Sequence, residues 1–223
     1  MNQLPESISP WMEYPSYDWT PIIKESDIYE YGINQHLYHQ SDKIDTVFLV
    51  ISGRVRQYLI SADGQEKALA IAGTNCLIGE NKTVDSDVYF ESAVAVSKVK
   101  AASLSYNKFE SILYNFPNLI KQYIDLLNRK IRLASVYNLE LSYGSSVYRI
   151  YDAFYHLALN YGRQMDSGIT ILLKFTHQEL ANLVGTSRVT VAKTVNEMLK
   201  NRIITKDGKY YHIPDIDKLL PGV

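Results

Sequence analysis

A single cysteine, Cys76, stands among 223 residues. One thiol makes no intrachain disulfide, no Cys-based zinc finger and no cysteine-ligated iron–sulfur cluster. An apolar run of the roughly 18 residues needed to cross a bilayer is missing, and Met1 to Trp19 has neither the basic nor the apolar region of a signal peptide. A soluble, cytoplasmic protein without membrane attachment is therefore expected. Excess charge of one sign is missing too: 23 Lys and Arg stand against 24 Asp and Glu, a formal charge of −1. Taken alone, that balance excludes a nucleic-acid binder. Composition averages over domains, however, whereas phosphate binding depends only on the surface that meets phosphate. What is present is ordinary globular composition, 46% hydrophobic and 21% charged, which argues against disorder. The 18 tyrosines could line a ligand pocket and leave most of their number elsewhere.

Three segments differ in period. The first third carries short apolar or alternating runs, Val47–Ile51, Arg54–Ile60 and Lys67–Ile71, with Asp63-Gly64 as a hairpin turn between the last two. Further glycines at 73 and 79, followed by Val88 to Val99, continue the series. Evenly spaced short strands predict an antiparallel β-roll of jelly-roll type over residues 1–106. From Asn107 to Leu141 glycine is absent, and Ile120, Ile124, Leu127, Ile131, Ala134, Asn138 and Leu141 repeat at alternating spacings of four and three. That is a heptad seam, which predicts a long helix over 107–143 that pairs with a second copy, with Asn138 as its polar register position. Gly144-Ser145-Ser146 ends the pattern and opens a third domain, 144–223. The fold class is α+β.

The third domain carries the chemistry. Thr176-His177-Gln178-Glu179 matches a capping box that starts a helix through Val184, and Gly185 ends it. A second helix begins at Thr186 or Ser187 and reaches about Asn201, with Leu180 and Val184 placed to pack on Val191 and Val195. Two short helices on a glycine turn make a helix-turn-helix. The stretches 203–205 and 210–213 around Lys206-Asp207-Gly208-Lys209 read as a hairpin wing. Residues 171–212 hold seven cations against three carboxylates, a local charge of +4 that leaves −5 for the rest. Cationic excess on a helix-turn-helix predicts contact with double-stranded DNA. Base readout falls to Ser187, Arg188, Val189, Thr190 and Lys193 at the start of the second helix: Arg188 suits guanine or phosphate, and Val189 offers only a methyl contact to thymine. Thr176, His177 and Gln178, with Thr186 at the turn, suit phosphate through side chains and free N–H groups.

Phe175 to Arg202 (FTHQELANLVGTSRVTVAKTVNEMLKNR), supported by VFLVISGRVRQYLISADGQEK and CLIGE, resembles the Crp/Fnr family of bacterial transcription regulators. The resemblance implies a sensor roll, a dimer helix, a winged helix-turn-helix, and RNA polymerase as a further partner. Two departures stand out. Many members carry Glu where this chain has Val189, so a TTGA-type half-site is not implied. Cyclic-nucleotide binders carry a cation after the Gly-Glu turn, whereas the matching stretch Val88-Tyr89-Phe90-Glu91-Ser92 has none. Val189-Thr190-Val191, Cys76 to Gly79, Val88-Tyr89 and Lys130 are similar to the CprK-like, halophenol-responsive branch. That likeness implies a small aromatic effector near Glu80, Asn81, Tyr89, Leu127 and Lys130, with the Lys130 ammonium meeting a phenolate. Glu80 replaces a second lysine of that branch. Substituting Lys130 by Met is then expected to weaken the effector response and leave folding intact.

Two other readings compete. A cupin-like enzyme needs clustered metal ligands, and His36-Leu37-Tyr38-His39 has the wrong spacing for one strand face. A constitutive DNA-binding protein with a degenerate sensor is the other. No enzyme activity, metal or cofactor is expected.

Overall fold

The computed structural model describes residues 9–14 and 16–220, and within them each apolar run of the first third is a strand. The order is β1 (Trp11–Met12), α1 (Thr20–Lys24), β2 (Asp27–Tyr31), β3 (His36–Tyr38), β4 (Thr46–Ser52), β5 (Val55–Ile60), β6 (Glu66–Ala72), β7 (Leu77–Ile78), β8 (Ser92–Ala95) and β9 (Val99–Ser105). They form two sheets, ordered β1-β6-β5-β8-β3 and β2-β9-β4-β7. Val47, Phe48, Leu49 and Val50 are consecutive and all buried, the mark of a strand covered on both faces. By contrast β6 alternates, with Ala68, Ala70 and Ala72 inward. The expected antiparallel roll needs one correction: β1 pairs with β6 in parallel, Trp11 opposite Ile71. Two apolar residues flanked by irregular chain carry no periodic signal, so this edge was not readable. Gly53 sits at φ +86, where a Cβ would lie 2.1 Å from the Lys98 carbonyl oxygen, so only glycine fits that turn.

The helix expected over 107–143 is two helices, α2 (Tyr106–Asn115) and α3 (Pro117–Tyr143). Pro117 has no N–H to donate and bars Phe116 from helical geometry (φ −128, ψ 84), so it opens α3 rather than lying inside one helix. Leu119, Leu126 and Leu133 of α3 are buried at a strict spacing of seven. The expected seam is a different stripe: Ile124, Ile131, Ala134, Asn138 and Leu141 are exposed, and Ile120 and Leu127 half-buried. A strap from the chain start holds the first turns of α3. The Tyr17 hydroxyl donates to Asp125 Oδ2, the Asp18 N–H donates to Gln122 Oε1 (2.8 Å), and Gln122 Nε2 returns a bond to the Asp18 carbonyl (2.9 Å). Trp19 Nε1 donates to the Asn75 carbonyl at 3.0 Å and buries its ring fully.

Two compact units divide the described chain, 10–134 and 135–220 with Ser9. The second begins at the end of α3 and continues through α4 (Ser146–Tyr161), β10 (Gly162–Met165), β11 (Gly168–Ile171), α5 (His177–Val184), α6 (Arg188–Lys200), β12 (Thr205–Asp207), β13 (Tyr210–Ile213) and a 3₁₀ turn at Ile216–Leu219. Its sheet runs β10-β11-β13-β12. Strand β10 was not foreseen because Gly162 to Met165 is exposed throughout and has no apolar face. Phe154 is fully buried and meets Tyr211 edge to face, with ring centroids 5.2 Å apart.

Candidate nucleic-acid interface and ligand cleft

Helices α5 and α6 are set by their caps. Thr176 Oγ1 accepts the Glu179 N–H at 3.1 Å while Glu179 Oε2 accepts the Thr176 N–H at 2.6 Å, closing the capping box. The Thr176 N–H, expected to be free for phosphate, is therefore occupied, and so is its hydroxyl oxygen. Gly185 ends α5 in the left-handed region (φ 66), its N–H returning to Ala181, and the Thr186 N–H donates to Ala181 as well. Two residues later Ser187 caps α6, accepting the Thr190 N–H at 3.0 Å, and its hydroxyl lies 2.8 Å from that of Thr190. These two hydroxyls are thereby paired with each other rather than held outward.

Burial then sorts α6 by face. Val191, Thr194, Val195 and Met198 turn inward, whereas Arg188, Val189 and Lys193 are exposed. Val189 is 78% exposed, so its methyl groups are open to solvent beside Arg188. His177 Nε2 lies 3.4 Å from the Tyr211 hydroxyl, and Gln178 Nε2 donates to Asn182 Oδ1 at 2.7 Å. Partial burial, with the cations Lys206 and Arg188 nearby, holds His177 below the usual histidine range. It is thus a neutral hydrogen-bonding group near pH 7.

The second constellation lies in the roll. Glu80 and Glu91 are buried carboxylates, each 2% exposed. Glu91 Oε1 accepts from the Tyr38 hydroxyl (2.9 Å) and Gln57 Nε2 (2.8 Å), and its Oε2 accepts from Asn81 Nδ2. Glu80 Oε1 accepts from Lys130 Nζ at 2.6 Å, and the same ammonium donates to the Leu77 carbonyl at 2.9 Å. Tyr89 is buried, stacks on Tyr38 with centroids 3.9 Å apart, and donates its hydroxyl to the Thr46 carbonyl at 2.7 Å. A cleft of about 440 Å³ opens beside this cluster, lined by Gln40, Ser41, Asn81, Val88, Tyr89 and Phe90 among others. Of the five residues expected to meet an effector, Asn81 and Tyr89 line this cleft. Glu80, Leu127 and Lys130 do not, and Lys130 meets Glu80 instead of an open space.

The Cyclic nucleotide-binding domain family matches residues 29–115, and the Crp-like helix-turn-helix domain family matches residues 148–221. The chain belongs to the Crp/Fnr family. A relative described as a CRP-like cAMP-activated global transcriptional regulator from Mycobacterium tuberculosis is 26% identical over 198 residues, covering 89% of this chain and 88% of the relative. The Cyclic AMP receptor protein of Thermus thermophilus is 28% identical over 174 residues, 78% of this chain and 77% of the other. Among solved structures, the c-di-GMP responsive regulator CLP of Xanthomonas campestris superposes with a TM-score of 0.80 at 19% identity, over 87% of this chain and 97% of that one. A CprK structure complexed with OCPA gives 0.73 at 17% identity, over 95% and 98%. At such identities these likenesses show the shared fold.

As a Crp/Fnr member the protein is an effector-responsive, DNA-binding transcription regulator, and its relatives are regulators rather than enzymes. Among the described residues, no group of three or more His, Cys, Asp or Glu could hold a metal ion, and His36 and His39 stack ring on ring at 4.2 Å. No described helix is long and apolar enough to cross a membrane. Burial pushes the Cys76 thiol up to about 12, with Lys130 partly opposing and Glu80 reinforcing the shift. Cys76 of this regulator is accordingly expected to resist a thiol reagent at pH 8 until denaturant is added. Full labelling of the folded protein within minutes would show that the roll opens there.

Sequence reading missed Arg149 of this Crp/Fnr helix-turn-helix unit. Its guanidinium donates to the Val184 (2.7 Å) and Gly185 (3.1 Å) carbonyls at the end of α5 and to the Gly144 (2.7 Å) and Glu140 (3.2 Å) carbonyls at the end of α3. A lone arginine on an amphipathic helix carries no spacing signal. Only its place one residue before the buried Ile150, facing two glycine-ended helices, would have pointed to it.

Proposed function

We propose that this Crp/Fnr regulator acts in the cytoplasm as a homodimer that binds a palindromic operator through α6 and meets RNA polymerase at the promoter. A small aromatic effector in the roll would be its switch. The observation that carries the DNA reading is the exposure of Arg188, Val189 and Lys193 on a helix whose opposite face is buried and whose first turn is fixed by the Ser187 cap. Recognition helices of this motif read bases from that turn. Arg188 supplies the bidentate donor and Val189 the thymine-methyl contact. Lys193 would extend that contact one turn further on, and His177 and Gln178 at the N-terminal turn of α5 would meet phosphate, flanked by Thr176, Thr186, Ser187 and Thr190. The homodimer reading is supported by the exposed apolar stripe Ile124, Ile131 and Leu141, which a second α3 would cover. The aromatic effector class is supported by the Tyr89 and Phe90 rings at the cleft, and the CprK-like branch by the sequence matches around Val189 and Tyr89. An effector can switch the protein only if it binds the DNA-competent state more tightly.

Selection of operator fragments from a random library, followed by titration at several salt concentrations, tests this. Inverted repeats should emerge, with affinity that falls as salt rises. Arg188→Ala should cost about 1–3 kcal/mol of discrimination between matched and mismatched half-sites while the dimer persists. Equal discrimination by mutant and wild type would remove Arg188 from base readout.

A further inference from the structure

We infer that Asn196, two turns along α6 from Val189, is a further base-reading residue, and that its carboxamide selects an adenine in each half-site. This rests on the reading of α6 as the recognition helix given above, and it adds a fourth residue to Arg188, Val189 and Lys193.

The phase of α6 places it. Val191, Thr194, Val195 and Met198 are buried and define the inward face. At about 100° per residue, the opposite ridge is Val189, Lys193, Asn196 and Lys200. These follow one another at spacings of four, three and four, and all are exposed. Asn196 thus shares a line with Val189 and sits about 10 Å further along the axis at 1.5 Å per residue. A helix lying in the major groove with Val189 against the bases keeps that line facing them. The axial separation corresponds to about three base pairs.

Chemistry separates Asn196 from its neighbours on the ridge. Lys193 and Lys200 offer donors only, and Val189 only methyl groups. A carboxamide presents a donor and an acceptor side by side, which matches the N7 acceptor and N6 donor of adenine in the major groove. Polar side chains at the start of α5 and α6 are already engaged: the Ser187 and Thr190 hydroxyls with each other at 2.8 Å, and Gln178 Nε2 with Asn182 Oδ1 at 2.7 Å. Among the described residues, by contrast, no hydrogen-bond partner holds the Asn196 side chain. Asparagine also works against its own helix. In the interior of a 13-residue helix its side chain competes with the backbone, and alanine would favour the helix more. A residue that is exposed, unbonded within the protein and unfavourable to its helix fits a partner outside the protein.

Operators are selected from a random library with the full-length wild type and with Asn196→Ala, and the thermal unfolding of both proteins is measured. The wild-type repeats should carry an adenine in each half-site that the variant no longer prefers. Discrimination at that position should fall about tenfold, with preferences at the other positions kept. The unfolding temperature should hold or rise, because alanine suits the helix better; a marked drop would assign Asn196 to folding instead. Replacing N7 of that adenine by C–H, as in 7-deazaadenine, should weaken wild-type binding and leave Asn196→Ala unaffected. Equal sensitivity of both proteins to this replacement overturns the inference, and so does an unchanged preference at every position. A uniform loss of affinity across all sequences would make Asn196 a phosphate contact and overturn it as well. A wild type that selects no inverted repeat rejects the reading of α6 beneath it, whereas repeats that Asn196→Ala selects unaltered reject Asn196 alone.

Discussion

Lys130→Met should destabilise the roll by about 3–5 kcal/mol, the usual cost of removing one partner from a buried ion pair. The loss is expected as a lower urea midpoint of the 10–134 unit. The cause is Glu80. Its carboxylate is 2% exposed, and its only partner among the described side chains is the Lys130 ammonium at 2.6 Å. Burial by itself would lower the Lys130 pKa, but the adjacent carboxylate more than compensates and holds it above the usual lysine range, so the ammonium stays charged through neutral pH. Methionine fills the volume of the lysine stem and supplies no donor. The double substitution Glu80→Gln with Lys130→Met removes both charges and should recover most of the loss. A single substitution as stable as wild type, measured by circular dichroism in urea, would show that Glu80 is solvated despite its burial. Destabilisation would replace the expectation drawn from family resemblance, that Lys130 can be changed without cost to folding. A residue read as waiting for a phenolate is already neutralised from within.

The second large effect falls on Arg149. Hydrogen bonds from a charged donor contribute roughly 1.5–3 kcal/mol each, less than additively when they share one group. Arg149→Met removes four, to carbonyls at the ends of α3 and α5. A loss of about 3 kcal/mol in the helix-turn-helix unit follows, read as faster amide exchange in α5. Arg149→Lys should fail to restore it, because one ammonium cannot reproduce a planar fork that reaches both helix ends. Since Val184 and Gly185 lie three and two residues before the Ser187 cap, the variant should also bind operator more weakly. Protection in α5 equal to that of wild type would mean the carbonyls find water without penalty.

Much of the architecture could be read from periodicity alone. The buried run at Val47 to Val50, the Asp63-Gly64 hairpin and the Thr176 to Glu179 capping box are local signals, and local geometry answers them directly. What could not be read depends on distant parts of the chain. The heptad at Ile120 to Leu141 was seen, but the parallel stripe Leu119, Leu126 and Leu133 that packs within the protomer was not singled out, because both stripes have the same seven-residue repeat. Pro117 divides α2 from α3 through its missing N–H, a local break that a heptad repeat does not reveal. Among candidate site residues, exposure at Arg188, Val189 and Lys193 followed from helical phase. The pairing of Lys130 with Glu80, across 50 positions, followed from no spacing.

The strap at the start of the chain also governs the order in which the first unit can assemble. Tyr17 and Asp18 find their partners 108 and 104 residues later, at Asp125 and Gln122. During synthesis those partners emerge only after every strand of the roll, so the strap cannot close until the sheets have had time to form. Contacts of such long sequence separation are slow to make. The strap can therefore dock only after α3 has been made, and the hold on α3 that it provides is a late event in folding rather than a foundation for it.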